Sequence, residues 1–424
     1  MSTDVFSQYE SEVRSYCRAF PVVFRQAKGS HLIDESGTSY LDFFAGAGSL
    51  NLGHNHPEIK AALIDYLQDD GLLHGLDMYT TAKRSFLQAL NEVILAPRGY
   101  HYLTQFPGPT GTNAVEAALK LARKVKQRTG VFAFQGGFHG MTLGSLAVTG
   151  NKTNRAGAAQ PLPNVTFMPF PHGFMESFDT IEYMRQVIKD PNSGIEKPAA
   201  ILLETVQAEG GVIVAKTQWL QQVRELCDEF DILMIVDDIQ VGCGRTGSFF
   251  SFEEAGIQPD IVTLSKSISG CGLPLALVLL KPELDIWSPG EHNGTFRGNQ
   301  LAFIGGAKAI SLWGEENIQS QVKEKEKFIC EFMSSRIQTL DERLAIRGVG
   351  LIWGVDLSAL DNPALVDDIC MRCFDNQLII ENAGRAGQVL KLLPPLNIRM
   401  EDLQQGCEIL AAAIAGALQP SKGV

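Results

Sequence analysis

The feature that most constrains the fold is an alternation of short apolar runs and amphipathic helical patterns between Tyr100 and Leu280. Runs such as Ile232–Val236 and Ile261–Leu264 are typical of strands that are buried on both faces of a parallel sheet. The helical patterns between them supply the crossover connections that parallel strands need. The sequence therefore predicts an α/β fold around a mostly parallel sheet.

A lysine directly follows one of these runs. Ile261–Leu264 leads into Ser265-Lys266-Ser267, and Ser269-Gly270-Cys271-Gly272 comes soon after. Ligands of open α/β sheets bind at the carboxyl ends of the strands, where a partly dehydrated amine can lose its proton and attack a carbonyl. Lys266 is therefore a candidate Schiff-base lysine. The alternative is a surface lysine in a turn.

A second run ends in an acid. Asp237-Asp238-Ile239-Gln240 comes directly after Ile232–Val236. A carboxylate at a neighbouring strand end is what pyridoxal phosphate requires, because its pyridinium nitrogen must stay protonated if the ring is to act as an electron sink. We assign this role to Asp237. Asp238, or a simple helix-capping role, is the alternative.

A glycine-rich loop comes before a helical pattern near residue 110. Gly111 and Thr112 lie at its end, and the following segment repeats apolar residues at helical spacing. Glycine lets backbone N–H groups approach an anion, and a helix N-terminus adds partial positive charge. The loop is thus a candidate phosphate site, although neither a Walker motif nor a GxGxxG motif is present. Asn113 and Glu116 are spaced as in a capping box.

Charge and hydropathy exclude several other classes of protein. The 424 residues carry a formal charge of −12, with 45% hydrophobic residues and 20% charged residues. This is ordinary globular composition, and it lacks the basic surface that nucleic acid binding needs. No apolar run reaches the ~20 residues that span a bilayer, and the N-terminus lacks a signal-peptide pattern. We expect a cytoplasmic protein that binds neither nucleic acid nor membrane.

Eight segments together resemble the class III (subgroup II) pyridoxal-phosphate aminotransferases, from about Phe24 to Arg399. In the family's order they are Asn51–Pro57, Thr110–Glu116, Phe138–Gly140, Glu204–Gly211, Asp237–Gln240, Ser265–Lys266, Gly294–Phe296 and Pro394–Leu396. Within the family, Phe106–Asn113, Leu264–Gly270 and Glu291–Asn299 most resemble the diaminobutyrate–2-oxoglutarate aminotransferases of ectoine synthesis. The resemblance implies an aspartate aminotransferase-like fold (pyridoxal-phosphate fold type I) with pyridoxal 5′-phosphate as the cofactor and no metal.

The resemblance also implies roles for single residues. Lys266 and Asp237 match the catalytic pair, and Gln240 matches a residue near the 3′-oxygen of the ring. Phe138 matches the aromatic side chain that stacks on the ring, and His139 is its neighbour without a catalytic role. Further cofactor contacts match Gly111, Thr112 and Thr295, the last of which relatives supply from the partner subunit. The implied assembly is a homodimer or a dimer of dimers.

The substrate end departs from the family. Many relatives carry an arginine where this chain has Met141, and another where it has Lys391, so two bidentate carboxylate contacts are missing. Arg297 stands where relatives commonly have glycine. We expect Arg297 or Lys391 to bind the substrate carboxylate, with Lys391 also the partner of Glu209. Without the resemblance, Glu209 is an acid in a loop, and Arg297 is equally suited to joining subunits.

The implied reaction is transfer of an amino group between the ω-amine of a diamino acid and a 2-oxo acid. For the resembling subgroup the products are L-aspartate 4-semialdehyde and glutamate, from L-2,4-diaminobutyrate and 2-oxoglutarate. Three alternatives remain open. They are another class III ω-transaminase of the 4-aminobutyrate or ornithine type, an isomerase or decarboxylase of the same fold, and a binding protein without activity.

Three regions are predicted: residues 1–58 as part of a small domain, 59–310 as the large cofactor-binding domain, and 311–424 as the rest of the small α+β domain. The alternating lysines and glutamates of residues 316–329 predict a solvated helix. Cys370 and Cys373 form a single C-x-x-C, which is too little for a zinc site, and their helical setting favours a packing role.

Overall fold

The computed structural model describes residues 4–171 and 178–419. Its strands are β1 (Phe24–Lys28), β2 (His31–Asp34), β3 (Ser39–Asp42), β4 (Leu103–Gln105), β5 (Val131–Phe134), β6 (Val165–Met168), β7 (Ala200–Leu203), β8 (Val206–Gln207), β9 (Ile213–Val214), β10 (Leu233–Asp237), β11 (Ile261–Leu264), β12 (Leu277–Leu280), β13 (Ala345–Val349), β14 (Ile352–Asp356), β15 (Leu378–Ile379), β16 (Glu381–Ala383) and β17 (Val389–Leu392).

Its α-helices are α1 (Asp4–Tyr9), α2 (Tyr16–Ala19), α3 (Ala45–Gly48), α4 (Pro57–Gln68), α5 (Thr81–Ala89), α6 (Gly111–Lys126), α7 (Leu143–Val148), α8 (Lys152–Ala156), α9 (Thr180–Lys189), α10 (Thr217–Glu229), α11 (Gln300–Glu315), α12 (Ile318–Phe332), α13 (Ala364–Asp375) and α14 (Met400–Leu418). No helix in the described ranges is both long enough and apolar enough to span a bilayer.

A seven-stranded sheet in the described residues forms the centre of the fold, in the order β4-β12-β11-β10-β7-β5-β6. β12 runs antiparallel to both of its neighbours, and the other adjacent pairs are parallel. Leu233 and Ile235 pack against α6 on one face of the sheet, while Met234 and Val236 pack on the other. Burial on both faces explains why the apolar runs are continuous, and it confirms the predicted mixed, mostly parallel sheet.

The described residues also form a two-stranded sheet of β8 and β9 and two four-stranded sheets. One joins β1, β2 and β3 to β15, so the N-terminal segment pairs with a strand that follows almost at the end of the chain. The other has the order β13-β14-β17-β16. The side chains of Leu41 and Phe43 share a core with α12, α13 and α14. The predicted boundaries at residues 58 and 310 remain predictions, and α11 runs through the second.

Two local predictions were wrong. The helix of the glycine-rich loop begins at Gly111 rather than near Asn113, because Thr110 is its N-terminal cap. Asn113 Oδ1 accepts hydrogen bonds from Thr110 N (3.2 Å) and Thr110 Oγ1 (2.8 Å). Glu116 does not cap the helix; its Oε1 accepts from Gly144 N at 2.9 Å instead.

The second error concerns the charged helix α12. Lys325 is not solvated: its side chain is buried, and its Nζ donates to the carbonyl of Leu396 at 2.6 Å. Burial lowers the pKa of Lys325 to about 8. The alternation of lysine and glutamate in α12 therefore includes one position, Lys325, that faces the core.

Candidate active site

A cavity of about 300 Å³ opens at the carboxyl ends of β10 and β11, beside the N-terminus of α6. Most of the predicted site residues meet there. Those that line it are Gly111, Thr112, Phe138, His139, Glu209, Asp237, Gln240 and Lys266. The cavity lies where an open α/β sheet normally binds its ligand. Thr295, Arg297 and Lys391 are the predicted residues that do not line it in the described chain.

Lys266 comes two residues after the end of β11, and its side chain reaches the cavity. Burial lowers the pKa of its amine, and the carboxylate of Glu209 offsets only part of that effect. A lowered pKa increases the fraction of neutral, nucleophilic amine. The role of Lys266 as a Schiff-base lysine stays a prediction.

Asp237 is the last residue of β10, and its carboxylate is held by three donors. Oδ2 lies 2.6 Å from His139 Nδ1, while Oδ1 accepts from Ile239 N and Thr263 Oγ1, both at 3.2 Å. Burial lowers the pKa of His139, but the hydrogen bond to Asp237 and the charge of Asp237 more than offset it, so the pKa is raised overall.

Asp238 faces away from the cavity. Its Oδ2 accepts from the backbone N–H of Ser251 at 3.1 Å, and its Oδ1 accepts from the hydroxyl of the same residue. Burial raises the pKa of Asp238 to about 7. Of the two adjacent acids, Asp237 alone lines the cavity among the described residues, which favours the predicted assignment.

The wall beside α6 is rich in hydroxyl groups. Thr112 Oγ1 lies 2.7 Å from both Thr142 Oγ1 and Ser145 Oγ. Gly111 and Thr112 are the first two residues of a helix of 16 residues. Backbone N–H groups at such a helix end are unpaired within the helix and attract anions.

Glu204 is a buried acid of this site to which the sequence gave no role. Its Oε2 accepts from the backbone N–H of Phe138 at 3.1 Å, which fixes the segment that carries the aromatic ring. Burial raises the pKa of Glu204 to about 8. Its place in the Glu204–Gly211 segment was the only signal that could have drawn attention to it.

Gln240 bridges the cavity to a loop near the N-terminus. Its Nε2 donates to Ala47 O and to Glu209 Oε1, both at 3.0 Å. Its Oε1 is buried and accepts no hydrogen bond from the described residues. A buried acceptor without a donor is costly, and in a cavity wall it indicates a ligand that donates to it.

Glu209 and Glu381 lie on either side of the fully buried Lys391, and we call these three residues the Lys391 cluster. Lys391 Nζ lies 2.6 Å from Glu209 Oε1 and 2.9 Å from Glu381 Oε1, although the second contact lacks the alignment of a hydrogen bond. The predicted pairing of Lys391 with Glu209 is therefore present. Burial raises the pKa of Glu209, but the charges of Lys391 and Lys266 more than offset it and lower the pKa overall.

Glu381 was not predicted. It lies directly opposite Lys391 in the antiparallel pair β16–β17, where side chains on one face are neighbours. Burial raises its pKa even though Lys391 acts in the opposite direction. The contact follows from the strand register, which spacing along the chain does not reveal.

Thr295 and Arg297 lie outside this cavity. Thr295 is exposed. Arg297 is half-buried, pairs with Asp77, and donates to the carbonyl of His292 at 3.1 Å. The single chain therefore does not bring these two residues to Lys266.

The cysteine pair lies in helix α13, where Cys373 is buried and Cys370 is partly buried. Neither forms a disulfide, and the described residues contain no cluster of three or more metal-binding side chains. These observations agree with the packing role that the sequence favoured.

Comparisons with known proteins complete the description. The model of the class-III aminotransferase family matches residues 14–414. The diaminobutyrate–2-oxoglutarate transaminase of Bordetella parapertussis is 52% identical over 420 residues, which cover 99% of this chain and 96% of that protein. The transaminase of the same name from Wolinella succinogenes is 54% identical over 416 residues, which cover 98% of this chain and 96% of that protein.

Solved structures agree on the fold. The ornithine aminotransferase of Toxoplasma gondii superposes with a TM-score of 0.85 at 26% identity, covering 98% of this chain and 94% of that one. An aminotransferase of Bacillus anthracis, at 23% identity, superposes equally well and supports the fold alone; the cover is 98% of this chain and 99% of that one. The predicted aspartate aminotransferase-like fold, pyridoxal-phosphate fold type I, is confirmed. The chain belongs to the class-III aminotransferases.

Proposed function

We propose that this aminotransferase converts L-2,4-diaminobutyrate and 2-oxoglutarate into L-aspartate 4-semialdehyde and L-glutamate. The observation that carries the proposal is the identity above 50%, over nearly the whole chain, with transaminases named for that pair of substrates. The likeness of the phosphate loop and the lysine segment to enzymes of ectoine synthesis further suggests that pathway. A cytoplasmic location remains an expectation.

Pyridoxal 5′-phosphate is the cofactor, and the residues of the cavity fit it. Gly111 and Thr112 at the start of α6 suit its phosphate, Asp237 suits its ring nitrogen, and the unpaired Oε1 of Gln240 suits a hydroxyl donor. Phe138 supplies a flat apolar side chain for the ring face. When bound, the cofactor supplies an electron-withdrawing ring that stabilises negative charge on the adjacent substrate carbon.

The chain's own groups have distinct tasks. Lys266, whose pKa is lowered by burial, would hold the cofactor through a bond to its carbonyl carbon, with loss of water. Once the substrate amine displaced it from that carbon, the freed neutral amine would move a proton to and from the substrate carbon. Asp237 would face the ring nitrogen of the cofactor, and His139 and two further donors fix the direction of its carboxylate. The walls of the cavity are mostly apolar, which limits the polar groups that could hold water near the reacting atoms.

Two different substrates share this cavity, and the Lys391 cluster suits that requirement. A 2-oxo acid brings a carboxylate next to the reacting carbon, whereas a diamino acid that reacts at its ω-amine does not. Lys391 can pair with the carboxylate of the first substrate, and with Glu209 when the second is bound. Lysine acts here as a point charge, since it lacks the planar fork of an arginine.

A homodimer, or a dimer of dimers, accounts for Thr295 and Arg297. Residues 72–79 and Phe296 expose large apolar side chains, including Leu73 at 58% and Phe296 at 70%. The two segments are in contact through the rings of His74 and Phe296, whose centroids lie 5.5 Å apart. A continuous exposed apolar patch is typical of an interface. On a second copy, Thr295 and Arg297 would reach the neighbouring cavity.

The reaction is tested by half-reactions of the purified protein. Glutamate and diaminobutyrate should each abolish the visible absorption band of the bound cofactor, and 2-oxoglutarate should restore it. 4-Aminobutyrate and ornithine serve as matched alternatives. A faster reaction with either of these than with diaminobutyrate would point to the other ω-transaminases, and release of CO₂ would point to a decarboxylase.

Subunit sharing is tested by mixing variants. Thr295→Ala and Lys266→Ala subunits, each inactive or impaired alone, should regain activity on exchange, because one of the two sites in the mixed dimer is intact. Proven exchange without any gain would contradict a contribution of Thr295 to the partner's site.

A further inference from the structure

Lys266 has an unusual backbone conformation. Its φ of 51° places it in the left-handed region, although it is neither glycine nor asparagine. A residue other than glycine is strained in this region, and it stays there only if its surroundings hold it. The contacts of the residues around Lys266 therefore reveal what holds it.

The residue after Lys266 is anchored to the N-terminal part of the chain. Ser267 is buried, its Oγ donates to Gly48 O at 2.7 Å, and the same Oγ accepts from Asn51 N at 3.1 Å. One hydroxyl thus satisfies a donor and an acceptor of a remote loop. A hydroxyl that fills both roles is fixed in direction.

Asn51 is fixed in turn by a buried arginine. Its Nδ2 donates to Cys243 O at 3.0 Å, and its Oδ1 accepts from Arg245 Nη2 at 2.6 Å. Arg245 is fully buried and also donates to Leu351 O at 3.0 Å and to Pro394 O. Burial lowers the pKa of Arg245 to about 9.

The turn itself is closed from the other side. Gly270 ends it with a φ of 71°, and a Cβ at that position would lie 2.7 Å from the carbonyl of Gly305 in α11. Ser269 Oγ donates to the carbonyl of Lys266 at 3.3 Å. The turn therefore packs closely against the backbone of α11.

We propose that Ser267, held by Asn51 and the guanidinium of Arg245, is a positioning residue that keeps Lys266 in its left-handed conformation with the amine directed into the cavity. Ser267 does not line the cavity and acts through Lys266. The inference rests on the proposed role of Lys266. It adds that the orientation of this lysine depends on a chain of hydrogen bonds that leads to the segment carrying Lys391.

Ser267→Ala tests the proposal on the holoenzyme. We expect kcat to fall roughly tenfold with KM little changed, as for the loss of a buried hydrogen bond that orients a reacting group. We also expect the visible band of the cofactor to be lost about tenfold faster when the holoenzyme is diluted into a scavenger of pyridoxal phosphate, because a misdirected amine holds the cofactor less well.

The matched control is Ser193→Ala. Ser193 Oγ donates to Val187 O at 2.7 Å and has no link to Lys266 through the contacts above. It should lower the melting temperature by a similar amount and leave kcat and cofactor release unchanged. Equal behaviour of the two variants in kcat and release would overturn the proposal.

Ser267→Cys keeps the size of the side chain but weakens both hydrogen bonds, so it should give an intermediate kcat. If the alanine variant does not fold, Ser267→Cys tests the proposal in its place. Wild-type values of kcat and of the rate of cofactor release in Ser267→Cys would also overturn the proposal. Failure of the proposed function is seen separately, as full activity of Lys266→Ala or as absence of transamination by the wild type.

Discussion

The Lys266–Asp237 pair and the Lys391 cluster are built on different principles. The pair comes from neighbouring parallel strands of one sheet, so the strand ends alone bring the two side chains to the same edge. The Lys391 cluster joins a loop after β8 to two strands of another sheet. Its carboxylates meet only because separate parts of the fold pack together. A site supported by one sheet is resistant to change, whereas a site assembled from several elements can be altered one residue at a time.

Lys266→Ala is expected to have the largest effect. Turnover should fall by roughly 10⁴-fold or more, because no other amine replaces the nucleophile and base, while the cofactor stays bound without a covalent link. Steady-state assay and absorbance after gel filtration measure the two outcomes. Lys281→Ala, which removes a lysine paired with Asp260 at the sheet edge, is the control. A variant that retains wild-type turnover would remove Lys266 from the mechanism.

The next test compares kcat in two variants of adjacent acids, Asp237→Asn and Asp238→Asn. We expect the first to lower kcat about a thousandfold, because a neutral amide cannot stabilise the protonated ring nitrogen. The second should change kcat little, since Asp238 bonds to Ser251 outside the cavity. If the larger loss follows Asp238→Asn, the roles of the two acids are reversed.

Lys391→Gln tests how much the Lys391 cluster contributes to the free energy of unfolding. The change leaves the largely buried Glu381 without a cation, which should destabilise the fold by about 3 kcal/mol in urea unfolding. Lys189→Gln is the matched control, because Lys189 forms a half-exposed pair with Glu229 at 3.0 Å and should cost less than about 1 kcal/mol. Similar losses in the two variants would mean that the cluster is solvated.

Arg297→Gln should have the smallest effect of the four. If Arg297 binds a substrate carboxylate of the partner's cavity, the loss of a charge-assisted hydrogen bond lowers kcat/KM for at least one carboxylate substrate roughly tenfold. A variant that stays dimeric, holds its cofactor and has unchanged kinetics would leave Arg297 with a structural role beside Asp77.

The sequence predicted the pair better than the cluster for a physical reason. Lys266 and Asp237 follow continuous apolar runs, and such runs identify both the strand and its end. Glu381 could not be found this way, because its proximity to Lys391 depends on strand register rather than on spacing along the chain. The predicted cap of α6 lay three residues too late along the chain. Both Thr110 and Asn113 are good capping residues, and in the structure Thr110 is the N-cap. Lys325 was misjudged because packing against Leu396 overrides its charge pattern.

The pairing of β3 with β15 has a consequence for the order in which the protein is made. Strands β1 to β3 leave the ribosome first, yet the strand that completes their sheet, Leu378–Ile379, is among the last to emerge. The seven strands of the central sheet are all translated once Leu280 has been added. Through most of synthesis Leu41 and Phe43 therefore lack the helices α12, α13 and α14 that share their core, and the N-terminal segment can complete its sheet only after every strand of the central sheet has been made.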